Sequence, residues 1–228
     1  MVSETQDNSS DDAVPAIRLR ITEIFHSLQG ESRTVGIPTI FIRLTGCPLR
    51  CGYCDSAYAF EGGEWMSLDQ VLFNVVNKDC HYVTVTGGEP LAQKGCFPLL
   101  SRLCDLGYQV SLETSGSIDI MKVDPRVVKV MDLKTPGSGE EVKNRYENIK
   151  WLQNSDQIKF VICSRDDYLW ACDKLVEYDL PSQYEILFQA VHNDLEDRVL
   201  AEWILEDRLQ VRMQVQLHKI LWGDLPGK

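Results

Sequence analysis

The chain has 228 residues, 44% of them hydrophobic, a formal net charge of −11 and a pI near 4.8. That length allows one domain with a substantial core, and the acidic balance argues against a general nucleic-acid or anionic-membrane binder. No apolar run reaches bilayer-spanning length and no basic-then-apolar leader opens the chain, so the sequence reads as cytosolic, with its eight cysteines reduced.

Residues 1–16 are rich in Ser, Asp and Asn and predict a disordered tail, which leaves residues 17–228 as a single domain. Ile17, Leu19 and Ile21 alternate with Arg18, Arg20 and Thr22, the period of a half-buried strand. A polar loop, Ser27 to Ser32, leads to a second strand over Thr39–Leu44. Arg43 is unusual in that strand: it needs either a structural ion pair, for instance with Glu31, or an anionic ligand that suits a planar guanidinium. Ser67 is a good N-cap for a helix running to about Asn77.

Strands are then predicted at Tyr82–Thr86, Gln109–Glu113, Val127–Leu133, Gln157–Cys163, Glu185–Gln189 and Val211–Leu217. Helices are predicted at Phe97–Leu106, Glu140–Leu152, Asp166–Tyr178 and Asp194–Asp207. Strand–helix alternation of this kind implies a parallel sheet with helical crossovers. Polar residues recur near the carboxyl ends of the strands: Thr84 and Thr86, Ser111 and Glu113, Asp132 and Lys134, Lys159, Gln189. In such sheets ligands bind beyond the carboxyl ends, so these side chains are expected around one mouth. Fewer than eight units are visible, which favours an open, partial β/α barrel over a closed one.

Cys47, Cys51 and Cys54 have C-x3-C-x2-C spacing in the loop after the second strand. Three thiolates fit a 4Fe–4S cluster with one iron left free. They also fit a structural zinc site completed by a histidine, although His26, His81, His192 and His218 are scattered singly and no second ligand pair is present. The other cysteines (Cys80, Cys96, Cys104, Cys163, Cys172) lie among apolar residues and read as small core side chains. Hydroxyls and a carboxylate at Glu113-Thr114-Ser115-Gly116 are suited to holding a polar ligand, as is Gln189.

The cysteine spacing, with Tyr53 before the last cysteine, and Gly87-Gly88-Glu89-Pro90 after a strand resemble the radical S-adenosylmethionine (SAM) superfamily. Gln29-Gly30-Glu31, Cys54-Asp55-Ser56, Thr86 to Pro90, Glu113 to Gly116 and Gln216-Leu217-His218-Lys219 narrow the resemblance to the 7-carboxy-7-deazaguanine synthases, from about Ile21 onward. The resemblance implies an α/β fold of the partial, TIM-type barrel kind. It also implies a lyase that contracts 6-carboxy-5,6,7,8-tetrahydropterin to 7-carboxy-7-deazaguanine with loss of ammonia, in queuosine and 7-deazapurine biosynthesis. In that mechanism a reduced cluster cleaves SAM to a 5′-deoxyadenosyl radical, which takes hydrogen from substrate C6 and later returns it, so that SAM is regenerated.

Roles follow from the same resemblance. Cys47, Cys51 and Cys54 hold the 4Fe–4S cluster, and Ser56 supplies a hydroxyl to Mg2+. Leu28, Gln29, Gly30, Arg43 and Thr86 bind substrate, Arg43 through its carboxylate. Tyr53, Cys54, Asp55, Gly88, Glu89, Glu113, Ser115, Asp132, Leu133, Lys134 and Gln189 surround SAM. Some relatives end in a proline whose terminal carboxylate meets the substrate; here two residues follow Pro226, and Lys228 is taken as the substrate-binding residue at that end. Two further departures are Ser56 in place of threonine and Asp132-Leu133-Lys134 in place of Ser-Pro-Lys. A homodimer and an electron donor such as a flavodoxin are implied as partners. Two other readings of the cysteines are an activase of a glycyl-radical enzyme, which has to admit a protein backbone and needs no clamp like Arg43, and a zinc-binding interaction module.

Overall fold

The structure is a computed structural model that describes residues 17–223, 225 and 227. The expected tail over residues 1–16 and the Lys228 carboxylate lie outside the described residues. The strands are β1 (Arg18–Leu28), β2 (Pro38–Leu44), β3 (Glu64–Ser67), β4 (Tyr82–Gly87), β5 (Gln109–Thr114), β6 (Val128–Asp132), β7 (Gln157–Ile162), β8 (Glu185–Ala190) and β9 (Arg212–Gln214). The α-helices are α1 (Leu68–Val76), α2 (Cys96–Asp105), α3 (Arg165–Glu177), α4 (Asp197–Glu206) and α5 (Leu217–Trp222).

Among the described residues the strands form one nine-stranded sheet in the order β3-β1-β2-β4-β5-β6-β7-β8-β9. From β2 to β9 neighbours are parallel, and the sheet is not closed into a barrel. Alternation along the parallel strands divides two faces. Ile40, Ile42, Val83, Val85, Leu112, Met131, Leu133, Ile158, Phe160, Ile186 and Phe188 point to one face and pack in the main core. Helices cover that face with Val71, Leu72 and Val75 of α1, Leu99, Leu100 and Leu103 of α2, Tyr168 and Ala171 of α3, and Leu200 of α4. The intervening positions, including Arg43, Thr86, Glu113, Asp132, Lys159 and Gln189, are left for the concave face.

Local signals account for several boundaries. Ser67 Oγ accepts from Gln70 N at 3.1 Å while Gln70 Oε1 accepts from Ser67 N at 2.8 Å, a reciprocal cap at the start of α1. Ser164 caps α3 by accepting from Asp167 N at 3.2 Å.

Four expectations are corrected. First, the sheet is mixed: β1 is antiparallel to both β2 and β3, because the connection over residues 29–37 is too short for a crossover. Second, β1 continues to Leu28, well beyond the predicted stretch, and β3 was not expected. Third, Glu140–Leu152 is not an α-helix but two 3-10 pieces, Glu141–Lys143 and Tyr146–Trp151. Its asparagines bond to neighbouring backbone instead: Asn144 to both Lys134 N and Lys134 O, and Asn148 to Gly116 O and Ile118 O. Fourth, only Arg212–Gln214 of the last predicted strand pairs with β8, and the chain then turns into α5.

Lys129 and Asp156 form an ion pair at 2.9 Å with side chains 3% and 0% exposed. Asp156 also accepts from Lys129 N and Gln153 N at 2.8 and 2.7 Å, which fixes the entry to β7. Asp156→Ala leaves two amides without partners and a buried ammonium with no counter-charge, bonded only to Val127 O at 3.1 Å, and is expected to cost about 3 kcal/mol of unfolding free energy, measurable by denaturant titration.

Candidate active site at the carboxyl ends of the strands

The concave face encloses a cavity of about 570 Å3. Seventeen of the sequence-predicted site residues line it: Leu28, Gln29, Gly30, Arg43, Cys47, Cys51, Tyr53, Cys54, Asp55, Ser56, Thr86, Gly88, Glu113, Ser115, Asp132, Lys134 and Gln189. The side chains of Glu89 and Leu133 are elsewhere than expected. Leu133 takes the helix-facing side of its strand end and is fully buried in the core. Glu89 is fully buried behind the wall, where its carboxylate accepts from Thr114 Oγ1, Ser115 N, Ser115 Oγ and Leu91 N at 2.5–3.0 Å. Burial still pushes the Glu89 carboxyl above its ordinary pKa, against the pull of those four donors.

The cysteine loop is tied down by its own backbone and by its neighbours. Glu89 N donates to Gly46 O at 2.9 Å, Gly46 N to Ala59 O at 2.8 Å, and Gly52 N to Ser138 O at 3.0 Å. All three cysteines are free, half-buried and on the cavity wall. Burial raises each thiol, Cys51 to about 11, with Lys134 pulling the other way. The thiolate form would therefore be drawn out by metal binding, with the protons released to solvent, rather than arise on its own.

Among the described residues no group of three His, Cys, Asp or Glu side chains is gathered closely enough to hold a single metal ion. A four-iron cube presents its irons at separate corners and so takes thiolates spaced more widely. The donor set fits such a cluster: Leu49 N already donates to Cys47 Sγ at 3.4 Å. A cofactor beside it also fits. Asp132 Oδ1 is buried with no partner, while Oδ2 pairs with Lys134 at 2.8 Å. A Cβ on Gly88 would come within 2.6 Å of Cys47 Cβ, so only glycine brings this backbone against the cysteine loop.

Opposite the cysteines lies a second polar group. Glu31 pairs with Lys159 at 2.8 Å and accepts from Gln189 and Gln216 at 3.1 and 3.0 Å. Burial would raise the Glu31 carboxyl, but Lys159, then Gln216 and His218, hold it down to about 2. Burial would likewise lower Lys159, yet Glu31 and then Asp132, 3.9 Å away, keep it well above its ordinary value. Gln29 Nε2 lies 3.2 Å from Thr84 Oγ1 and 3.4 Å from Glu113 Oε1, and Thr86 donates to Glu113 Oε2 at 3.2 Å. Burial raises the Glu113 carboxyl. Arg43 is paired with Glu23 at 2.7 Å, not with Glu31.

The residues missed in the sequence are those that hold others. Glu31 and Gln216 stand inside quoted motifs, but their roles depend on contacts across 128 and 185 residues. Glu23 faces Arg43 only once β1 and β2 are known to be antiparallel.

The radical SAM superfamily model matches residues 41–204. A 7-carboxy-7-deazaguanine synthase from Chlorobaculum tepidum is 46% identical over 208 residues, covering 90% of this chain and 94% of that one. The chain belongs to the 7-carboxy-7-deazaguanine synthases of the radical SAM superfamily. A second member, from Koribacter versatilis, is 42% identical over 219 residues, covering 90% and 97% of the two chains. The crystal structure of QueE from Escherichia coli has the same fold, with a TM-score of 0.70, 24% identity and coverage of 88% and 94%. Membership of this family implies a 4Fe–4S cluster and SAM, and favours an enzyme over a zinc module. No helix among the described residues is long and apolar enough to cross a membrane.

Two outcomes are expected. Gly88→Ala drives a methyl group into Gly46 O and Cys47 Cβ, so anaerobically reconstituted protein should hold less iron and bind SAM more weakly, read by iron assay and calorimetry. Glu31, with a reference value of 4.5 and a folded value of about 2, contributes stability that is complete above about pH 4.5 and is lost as pH falls toward 2. Lys159→Met removes the cause, so unfolding free energy at pH 7 should fall by about 3 kcal/mol, and the slope between those pH values should flatten or reverse.

Proposed function

We propose that this chain, as a single domain over residues 17–228, converts 6-carboxy-5,6,7,8-tetrahydropterin to 7-carboxy-7-deazaguanine with loss of ammonia, in the route to queuosine and related 7-deazapurines. The observation that carries this reading is that one cavity holds both the three thiols and a half-buried arginine. Cys47, Cys51 and Cys54 would hold the cluster, and Gly88, Ser115, Asp132, Lys134 and the Tyr53–Asp55 segment would hold SAM. A cluster and SAM held there would supply the one-electron chemistry that hydrogen abstraction from substrate C6 needs.

The remaining work belongs to the polypeptide. Arg43 uses Nε toward Glu23, which leaves its terminal nitrogens for the two oxygens of a substrate carboxylate. Leu28, Gln29 and Gly30 line the same cavity and would meet a pterin edge, with a Cβ at Gly30 barred by the His218 ring. Thr86 and Glu113, bonded to each other, face the same side. Phe25, Phe41, Leu49, Val130 and Val161 line the rest and limit water. Ser56, bonded to Asp55 at 2.7 Å, is the candidate Mg2+ hydroxyl, since magnesium takes few protein ligands and completes its shell with water and substrate oxygens. A flavodoxin-type electron donor, a homodimer and a cytosolic setting belong to the same reading.

Purified protein reconstituted with iron and sulfide, then given SAM, reductant, Mg2+ and the carboxytetrahydropterin, should form the deazapurine, followed by chromatography and mass. Absence of product would sink the assignment. Arg43→Ala should raise KM for this substrate about tenfold or more while iron content stays unchanged, and omission of Mg2+ should lower turnover.

A further inference from the structure

Arg43 is half of a cross-strand pair: its register partner on β1 is Glu23. Arg43 Nε donates to Glu23 Oε1 at 2.7 Å, and the same oxygen accepts from Tyr58 OH at 2.8 Å. The guanidinium carbon lies 5.6 Å from the Tyr58 ring centre and 5.9 Å from that of Phe25. Phe25 is itself stacked on Phe41 at 4.9 Å and 9°. Arg43, Tyr58, Phe25 and Phe41 line the cavity, and Glu23, two positions before Phe25 on β1, sits beside them without being part of that lining.

A guanidinium has several edges that can serve as a fork, and a flexible stem can aim any of them. Here one carboxylate oxygen holds Nε, two rings flank the guanidinium, and Arg43 lines the cavity, an arrangement that leaves the terminal nitrogens as the edge for a ligand. Tyr58 ties this clamp to the cysteine loop, because it sits on the turn Ala57–Ala59 that follows Cys54-Asp55-Ser56.

We propose that Glu23 is a positioning residue that, with Tyr58, sets the guanidinium of Arg43 edge-on to the cavity and so makes the site select a carboxylated substrate. This rests on Arg43 being the substrate-carboxylate binder. The opposite role is physically distinct: an acidic neighbour that merely neutralises Arg43 competes with an incoming carboxylate, and its removal tightens binding. The two roles have opposite signs.

The test uses reconstituted full-length enzyme, with kcat and KM measured for the carboxytetrahydropterin and affinity measured for a tetrahydropterin lacking the carboxylate. Glu23→Ala is expected to raise KM about tenfold or more, with kcat within about threefold and affinity for the decarboxylated compound unchanged. Glu23→Gln keeps an acceptor for Nε and is expected to recover most of the loss, while Tyr58→Phe gives a smaller rise in KM. An unchanged or lowered KM in Glu23→Ala, with the wild type active, overturns positioning alone. A wild type that does not take the carboxylated substrate overturns the reading of Arg43 and this proposal together. If Glu23→Ala shows no cooperative melt, Glu23→Asp decides: retracting the oxygen by one methylene while keeping the charge should raise KM if orientation matters, and an unchanged KM overturns the proposal.

Discussion

The structure depends on how an unclosed sheet satisfies its concave face. The loop after β1 enters that space and bonds to strand after strand. Gln29 meets Thr84 of β4, Glu31 meets Lys159 of β7, Arg33 N meets Gln157 of β7, the Arg33 guanidinium meets Glu185 of β8, and Ser32 N meets Gln214 of β9. A closed barrel fills its interior with layers of side chains; here a loop does much of that work. Each buried polar group has a strong requirement for a partner, so these contacts fix the loop in one place. The residues beside the cavity, Leu28 to Glu31, are therefore placed by the same bonds that complete the fold.

Charge in the cavity is arranged by the same requirement. Lys159 lies between Glu31 and Asp132, and Lys134 reaches Asp132 from the other side, so cations and carboxylates alternate across the floor. Alternation lets several ionised groups share a half-dry space, because each desolvated charge faces an opposite one. Asp132 Oδ1 stands outside these pairings: it has no partner although it is buried. Such an orphan is costly in a finished core and is what a site awaiting a polar ligand has. Glu89 shows the contrast: it too is a carboxylate and is more deeply buried, but four donors saturate it, and it supports the wall rather than facing the cavity.

Much of this was legible in the sequence, for reasons tied to particular residues. Strands buried on one face by helices and open to a cavity on the other alternate cleanly, so Thr84/Thr86, Asp132/Lys134, Lys159 and Gln189 announced the mouth. The cysteine spacing and the glycine pair are set by local geometry and read directly. What was not legible is set by distant partners. Periodicity does not carry strand direction, so nothing in the sequence sets Glu23 opposite Arg43; the antiparallel pairing of β1 with β2 does. The stretch after Glu140 has helical composition, but Asn144 and Asn148 find backbone partners 10 and 32 residues away and bend it into 3-10 turns. Leu133 was grouped with its neighbours in sequence although alternation puts it on the opposite face.

The glycine pair and the cysteine loop are best understood as one constraint. β2 and β4 are adjacent and parallel, with Leu44 in register with Gly87, so the loops leaving their carboxyl ends run side by side. Gly88 N donates to Leu44 O at 3.3 Å and Glu89 N to Gly46 O at 2.9 Å, which stitches the two loops together at the point where Cys47 begins. That stitch needs a backbone without a side chain, as the clash of a Gly88 Cβ with Gly46 and Cys47 shows. The next residue, Glu89, turns inward and anchors Thr114 and Ser115 at the end of β5. A three-residue stretch thus sets the spacing between three successive strand ends. Any ligand held by the glycine backbone is thereby held at a fixed distance from the thiols, and this is the requirement that chemistry between a cofactor and a cluster imposes on the polypeptide.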